Sequence, residues 1–406
     1  MPAIMKGQLT CFLPLPYHSA MKSILLLVIS SLFLSGFSTK AEEENIHLLH
    51  ATDLHYLSPS LYNKGQAFQN LMAEGDGKLT EHGDEIIATL IKQAHHYDAL
   101  ILSGDLTFNG EYQSLIDLRE KLMTLKEDGV PVLVIPGNHD ISYGYAMSYY
   151  GDSFIRTDNI SQKQFKEVMS CFGYDDALYK EKHSFSYCYG LRRDLWLLFL
   201  DANTEEAPGA LTEDEIDFAR DVLQKAQKKH ARVIAVSHQN FLPQSGLLSQ
   251  GFVIDNHKEI AELLEKHNVS LSLSGHSHLQ HQAQENGLTD ICTESLMVSP
   301  LQYGSVSVSA HGWSYHNVSL GILQNEAKER FDATMEKQLK DSMADYDVPA
   351  SIQKPMIEYG MELNTAYFAG RDVSDLLRDA RLSLWEKYGS DTFWYQYLIS
   401  MKKAGN

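Results

Sequence analysis

Short apolar runs, rich in β-branched residues and each closed by polar ones, recur at 47 to 54 (HLLHATDL), 99 to 106, 131 to 138, 195 to 203, 231 to 239 and 269 to 276. Their length and nearly continuous apolar character predict buried strands. Between them, stretches at about 80 to 97, 111 to 127, 212 to 230 and 255 to 267 carry the spacing of amphipathic helices. The third of these is the best marked: Thr212 and Glu215 stand at capping-box spacing, and lysines fill the last turn. Strands alternating with helices predict an α/β protein, its sheet covered by helices on both faces.

Two segments break this rhythm. Residues 141 to 190 hold the aromatic-rich SYGYAMSYYGDSF, a short helix predicted from near Ser161, and HSFSYCYG. Lying beside the polar cluster at 137 to 140, this insertion is placed to shape access to a site. After Leu320 the texture changes. Phe331, Met335, Leu339 and Met343 recur every four residues, and helical patterns follow at about 352 to 368, 373 to 388 and 391 to 402. The expected organisation is a main domain over 42 to 320 and a small C-terminal helical domain over 321 to 406, with the Met-rich stripe as its core.

Composition adds bounds. At 406 residues, 44% hydrophobic and 21% charged, the chain has the makings of a packed core and no low-complexity tract. Met21-Lys22, an apolar run shorter than a membrane span, and small residues at Thr39 and Ala41 form an export-signal pattern. Residues 1 to 41 are therefore expected to be a signal peptide cleaved after Ala41, with 1 to 20 an upstream-start artefact. The alternative is a retained N-terminal anchor, the one route to membrane contact. Losing Lys6, Lys22 and Lys40 with no acid leaves the formal net charge three units below −19, which argues against docking on nucleic-acid polymers. Cys11 falls in the discarded segment. Cys171, Cys188 and Cys292 form no disulfide framework, leaving either a Cys171 to Cys188 pair or three ordinary thiols.

The candidate chemistry sits where strands end. Asp53 and His55 close the first run, Gly104-Asp105 the second, Gly137-Asn138-His139-Asp140 the third, His238 the fifth, and Gly275-His276-Ser277-His278 the last. Strand ends on one edge of a layered α/β fold converge on one crevice. Asp-x-His or Gly-Asp alone is also an ordinary strand end or turn. Three adjacent polar residues after VLVIP have no packing use, however, and two histidines at spacing two lie on one side of an extended segment. Together, two carboxylates, one amide and four imidazoles exceed the needs of one tetrahedral ion and suit two divalent cations. The glycines are read as sharp backbone exits from the strands. The remaining histidines are taken as ordinary, with His281 at most on the rim.

This series resembles the calcineurin-like metallophosphoesterases throughout 47 to about 320. The resemblance implies a four-layer α-β-β-α sandwich of two mixed sheets in place of the single covered sheet. It implies that Asp53, His55, Asp105 and His278 hold one ion and that Asp105, Asn138, His238 and His276 hold the other. His139 then corresponds to the unligated histidine that contacts the substrate phosphate beside Asn138 and assists the leaving oxygen, with Asp140 orienting it.

The departures narrow the subgroup. Gly104-Asp-Leu-Thr-Phe-Asn-Gly110 lacks the continuation found in protein Ser/Thr phosphatases, and Phe108 stands where purple acid phosphatases carry a ligating tyrosine. The form of that motif, its spacing to GNHD, the helical extension and SPLQYGS (299 to 305) look most like exported bacterial cyclic-nucleotide phosphodiesterases. The expected activity is hydrolysis of cyclic nucleotides or related small phosphodiesters by hydroxide generated on two divalent metals, Mn, Fe, Zn or Co. The alternatives are a broad-specificity phosphomonoesterase and a non-catalytic metal-dependent binding protein.

Overall fold

The computed structural model describes residues 45 to 401, apart from 248, 345 and 347. The segment read as an export signal lies outside the described residues. Among those residues, no helix is long and apolar enough to cross a membrane.

Each of the six apolar runs forms a strand: β1 (Ile46–Ala51), β2 (Ala99–Ser103), β3 (Val132–Ile135), β8 (Leu195–Phe199), β9 (Arg232–Val236) and β10 (Leu271–Ser274). They divide between two sheets, three to each, and within a sheet they pair in parallel. The first sheet is completed by β13 (Gln302–Ser309) and β14 (Gly312–Ser319), antiparallel, in the order β14-β13-β1-β2-β3. In the second, β6 (Tyr179–Lys180) and β7 (Tyr187–Arg192) flank one side, and β11 (His281–Glu285) with β12 (Leu288–Cys292) the other, in the order β11-β12-β10-β9-β8-β7-β6. A separate hairpin joins β4 (Met147–Tyr150) and β5 (Ser153–Arg156).

The period of two along β8 shows why the layers stack. Leu195, Leu197 and Phe199 enter the core shared with Leu100, Leu102, Val132 and Val134 of the first sheet. Trp196 and Leu198 face the other way, onto Ile216 and Leu223 of α5 (Glu213–Lys228) and Ile260 of α6 (His257–Lys266). The first sheet is covered by α2 (Gly83–Ala94), through Ile86 and Leu90, and by α3 (Tyr112–Glu127), through Leu115 and Leu118. Two mixed sheets between helices replace the single covered sheet that alternation alone predicts. Two further helices lie in the main body, α1 (Gln66–Glu74) and α4 (Gln162–Met169), the latter opened by a Ser161 and Gln164 capping box.

The C-terminal region is helical: α7 (Gln324–Ala344), α8 (Ala350–Phe368), α9 (Leu382–Tyr388) and α10 (Phe393–Ser400). Phe331, Met335, Leu339 and Met343 are all buried in its core, as their spacing predicts. That core also takes in Leu279 and Val298 from the main body. The helices are therefore anchored beside the strand end that carries His278. Cys171, Cys188 and Cys292 are free in this structure. Burial pushes the Cys188 thiol up to about 12.

Candidate metal centre

The strand ends do not stop abruptly; they run on side by side beyond the sheet. Asp53 N–H donates to Gly104 O at 3.0 Å and His55 N–H to Asp105 O at 2.9 Å, while Gly275 N–H reaches His238 O at 2.9 Å. Asp53, His55, Asp105, His276 and His278 all adopt left-handed backbone, with φ of 51°, 38°, 47°, 70° and 56°. For residues with a β-carbon each such conformation costs on the order of 1–3 kcal/mol. Strain gathered at one sheet edge, on the residues that carry the polar side chains, aims those side chains into the crevice.

The glycines have a different use from the one their position in sequence implies. Gly104 has φ +94°, but Gly137 and Gly275 do not need positive φ. Each is a place of close approach. A β-carbon on Gly104 would lie 2.5 Å from His238 Nδ1, one on Gly137 would lie 2.2 Å from Asp105 Oδ1, and one on Gly275 would lie 2.0 Å from Thr52 Oγ1. They let neighbouring strand ends come close enough for their carboxylates and imidazoles to converge.

Two groups result, and Asp105 belongs to both. In the first, His55 Nε2 and His278 Nε2 are 3.1 Å apart. Asp53 Oδ1 lies 3.2 Å from His278 Nε2, and Asp105 Oδ2 lies 3.7 Å from His55 Nε2. Asp53 Oδ2 is occupied by Thr52 Oγ1 and the His276 N–H. Its Oδ1 is buried with no hydrogen-bond partner. A buried carboxylate oxygen without a donor is costly, and two facing imidazole nitrogens need a cation or a proton between them. The set fits a divalent ion.

In the second group, His238 Nε2 lies 3.3 Å from Asp105 Oδ1, 3.1 Å from Asn138 Oδ1 and 3.2 Å from His276 Nδ1. The outward nitrogens are fixed by backbone carbonyls, His238 Nδ1 by Ser103 O at 2.8 Å and His276 Nε2 by Gly251 O at 2.7 Å. These bonds set the tautomers and leave the inward nitrogens as bases. Without a metal the group is in conflict. Against the penalty of burial, Asp105 raises His238 to about 9, while burial and then the His238 charge lower His276 to about 4. A cation would satisfy all three side chains at once.

His139 stands outside both groups. Its N–H donates to Asp105 Oδ1 at 2.8 Å, its ring meets His55 edge-on at 4.9 Å, and Tyr143 from the insertion stacks on it at 4.1 Å. Asp140 does not hold that ring, contrary to expectation. Its carboxylate accepts the N–H groups of Leu106, Thr107 and Gly137 and the Thr107 hydroxyl, so it clamps the turn after β2 onto the turn after β3. Burial and then Asp105 raise it to about 6. The ring is held instead by Phe108 O at 3.1 Å and Asn109 Oδ1 at 2.9 Å from Nδ1. Asn109 was missed in the sequence reading, although it lies within the motif already singled out. Glu111 in turn accepts the Asn109 N–H at 3.0 Å. His281 bonds Gln244 and packs on Tyr367, away from both groups.

A family model for calcineurin-like phosphoesterases matches residues 46–280. The chain belongs to that family. Among solved structures, a dimetal phosphatase from Danio rerio superposes with a TM-score of 0.50 at 12% identity, over 68% of this chain and 96% of that one. That likeness speaks for the fold. In sequence, the chain is 22% identical over 202 residues to a protein of Xenorhabdus bovienii (strain SS-2004) named probable cyclic nucleotide phosphodiesterase, covering 49% of this chain and 68% of the relative. It is 25% identical over 182 residues to a protein of the same name from Ruthia magnifica subsp. Calyptogena magnifica, covering 45% and 62%. The two clusters at the sheet edge are thus groups that could hold metal ions, in a chain of the calcineurin-like phosphoesterase family.

Proposed function

We propose that the protein is a dinuclear metal-dependent phosphodiesterase acting on cyclic nucleotides or related small phosphodiesters. The observation that carries this reading is the pair of ligand groups joined at Asp105, with His139 beside them and free of both. Asp53, His55, Asp105 and His278 would hold one ion, and Asp105, Asn138, His238 and His276 the other. Imidazole, carboxylate and amide together suit Mn, Fe, Zn or Co. When bound, two such ions supply positive charge to a phosphoryl group and make a water acidic enough to attack it.

The chain's own part is positioning and proton transfer. Phe108 O accepts from His139 Nδ1, so the other nitrogen, Nε2, is the one left to face the departing oxygen, and it gives that oxygen a proton when the ring is doubly protonated, as imidazolium. Asn138 lies next to His139 and contacts the same phosphate. Tyr143, stacked on the His139 ring, limits its rotation and shields it from water.

A diester is favoured over a monoester by the cavity of about 720 Å³ that Asn138 and His276 line together with Ser142, Asn203, Glu205 and Asp255. Its lining contains no lysine or arginine. That suits the neutral organic group on the second ester of a diester better than additional phosphate charge. The names of the two relatives point the same way. The test is hydrolysis of 2',3'- and 3',5'-cyclic nucleotides, linear nitrophenyl diesters and monoesters by protein replenished with each metal, with elemental analysis of the isolated protein. Diesters should be turned over with the higher kcat/KM. A consistent preference for monoesters would move the assignment to a phosphomonoesterase.

A further inference from the structure

The insertion after β3 carries its first aromatic residues outward. Ile141 and Ala146 are buried, whereas Tyr145 between them is 62% exposed. Both ends of this short bow are tied down. Ser142 N–H donates to Ile160 O at 2.8 Å, the Ser142 hydroxyl donates to Glu205 Oε1 at 2.7 Å, and Thr157 N–H donates to Ala146 O at 3.1 Å. Between the ties the backbone enters the left-handed region twice, at Ser142 (φ 51°) and Gly144 (φ 78°). Gly144 takes that conformation freely; Ser142, with a β-carbon, is strained by it and is held there by its two hydrogen bonds.

The bow sets a series of rings running outward from the site. Tyr143 stacks on His139, with ring centres 4.1 Å apart and planes 30° apart, and Tyr145 meets Tyr143 at 5.4 Å, tilted by 57°. Among the described residues Tyr143 is the one ring that Tyr145 meets, and the Tyr145 hydroxyl has no hydrogen-bond partner. An exposed ring so placed is a surface on which another flat ring can stack. The same bow borders the cavity of about 720 Å³, whose lining includes Ile141 and Ser142 and contains no lysine or arginine. A group entering there is met by shape and by ring contact, without a cation to pair with.

We propose that Tyr145 is a base-binding residue, its exposed face stacking on the nucleobase of a substrate whose phosphoryl group lies at the metal centre beside His139. The sugar would then occupy the cavity, with the base at its rim. Stacking needs only a π face, so it serves purines and pyrimidines alike and adds affinity without choosing between them. The bow therefore has two uses: Tyr143 steadies the histidine, and Tyr145 holds the organic part of the ester. The inference rests on the phosphoesterase reading.

The test uses the full, metal-loaded chain and compares adenosine 5'-monophosphate with ribose 5-phosphate, as inhibitors of the hydrolysis of a chromogenic ester and by calorimetry. The two compounds share sugar and phosphate and differ by the base. Wild type should bind the nucleotide roughly tenfold more tightly. In Y145A that ratio should fall to about twofold or less, with ribose 5-phosphate affinity and metal content unchanged. The side chain is exposed, so its loss leaves the packing intact. Y145F should keep the wild-type ratio, because the ring and not the hydroxyl makes the contact. F154A is the control: Phe154 is 67% exposed on the same insertion, and among the described residues it has no ring contact with His139, Tyr143 or Tyr145, so the ratio should stay as in wild type. A wild-type ratio near one, an unchanged ratio in Y145A, an equal loss of both compounds in Y145A, or a fall in F154A that matches Y145A overturns the assignment of Tyr145. A wild-type protein that binds neither compound and hydrolyses no ester overturns the phosphoesterase reading instead.

Discussion

The two ligand groups share Asp105 but are built differently. The first has two carboxylates, Asp53 and Asp105, with His55 and His278; Asp53 and His55 are fully buried, and both Asp53 Oδ1 and His55 Nδ1 lack a hydrogen-bond partner. The second adds only the shared carboxylate and a neutral amide to two imidazoles, yet each imidazole is oriented by a backbone carbonyl. It also opens into the cavity of about 720 Å³. Charge and burial would make the first position the tighter one, while prior orientation and access would make the second the more exchangeable and the nearer to substrate. His139 lies on the side of the first position, its ring edge-on to His55. A substrate bridging both would therefore meet His139 at one end and have its organic group housed at the other.

Asp105→Asn should have the largest effect, because it weakens both positions together. Elemental analysis should find fewer than two ions per chain, and turnover of a chromogenic diester should fall by about 10⁴-fold or more. Two retained ions with near-normal turnover would sink the shared role. Next in size is His139→Ala, which should keep both ions yet lose about 10²- to 10⁴-fold in turnover. The loss should be smaller on a nitrophenyl diester, whose leaving group departs unaided, than on a cyclic nucleotide. Equal losses would leave His139 a charge-stabilising part only.

Asn138→Ala separates the two positions. It removes a ligand of the second and touches none of the first, so one ion per chain should remain and turnover should fall by about 10²-fold. Mild chelation of the wild type should likewise take the first equivalent of metal from the second position and leave the other in place. Retention of both ions in the variant, or loss of both in one step on chelation, would mean that the difference in charge and burial does not set affinity.

How much of this was legible in the chain depends on what each residue answers to. The parallel strands are buried on both faces, so their apolar runs stand out, and a polar cluster directly after such a run is conspicuous. The antiparallel flanks are not like this. β11 is HQAQE and largely exposed, and β14 alternates Gly, Trp, Ser, Tyr and His along a half-covered edge, so neither carries an apolar signal. Asp140 misled through adjacency. Next to His139 in sequence, it turns in the opposite direction to satisfy backbone N–H groups. Asn109 left no pattern, because it owes its place to a contact from farther along the chain, the His139 ring.

Asn109 supplies the smallest and most discriminating test. His139 Nδ1 has two acceptors, the Phe108 carbonyl at 3.1 Å and Asn109 Oδ1 at 2.9 Å, and Tyr143 closes over the ring. Removing the amide leaves the carbonyl and the stacking, so the ring is loosened and not lost. Asn109→Ala should then cost roughly tenfold in kcat or less, well short of His139→Ala, with both ions and KM unchanged. Its signature should follow that of His139: a greater loss on a cyclic nucleotide than on a nitrophenyl diester, and almost no further loss when combined with His139→Ala. Full additivity of the two losses would show that Asn109 acts on something other than the His139 ring, and the orientation of that ring would then rest on Phe108 and Tyr143 alone.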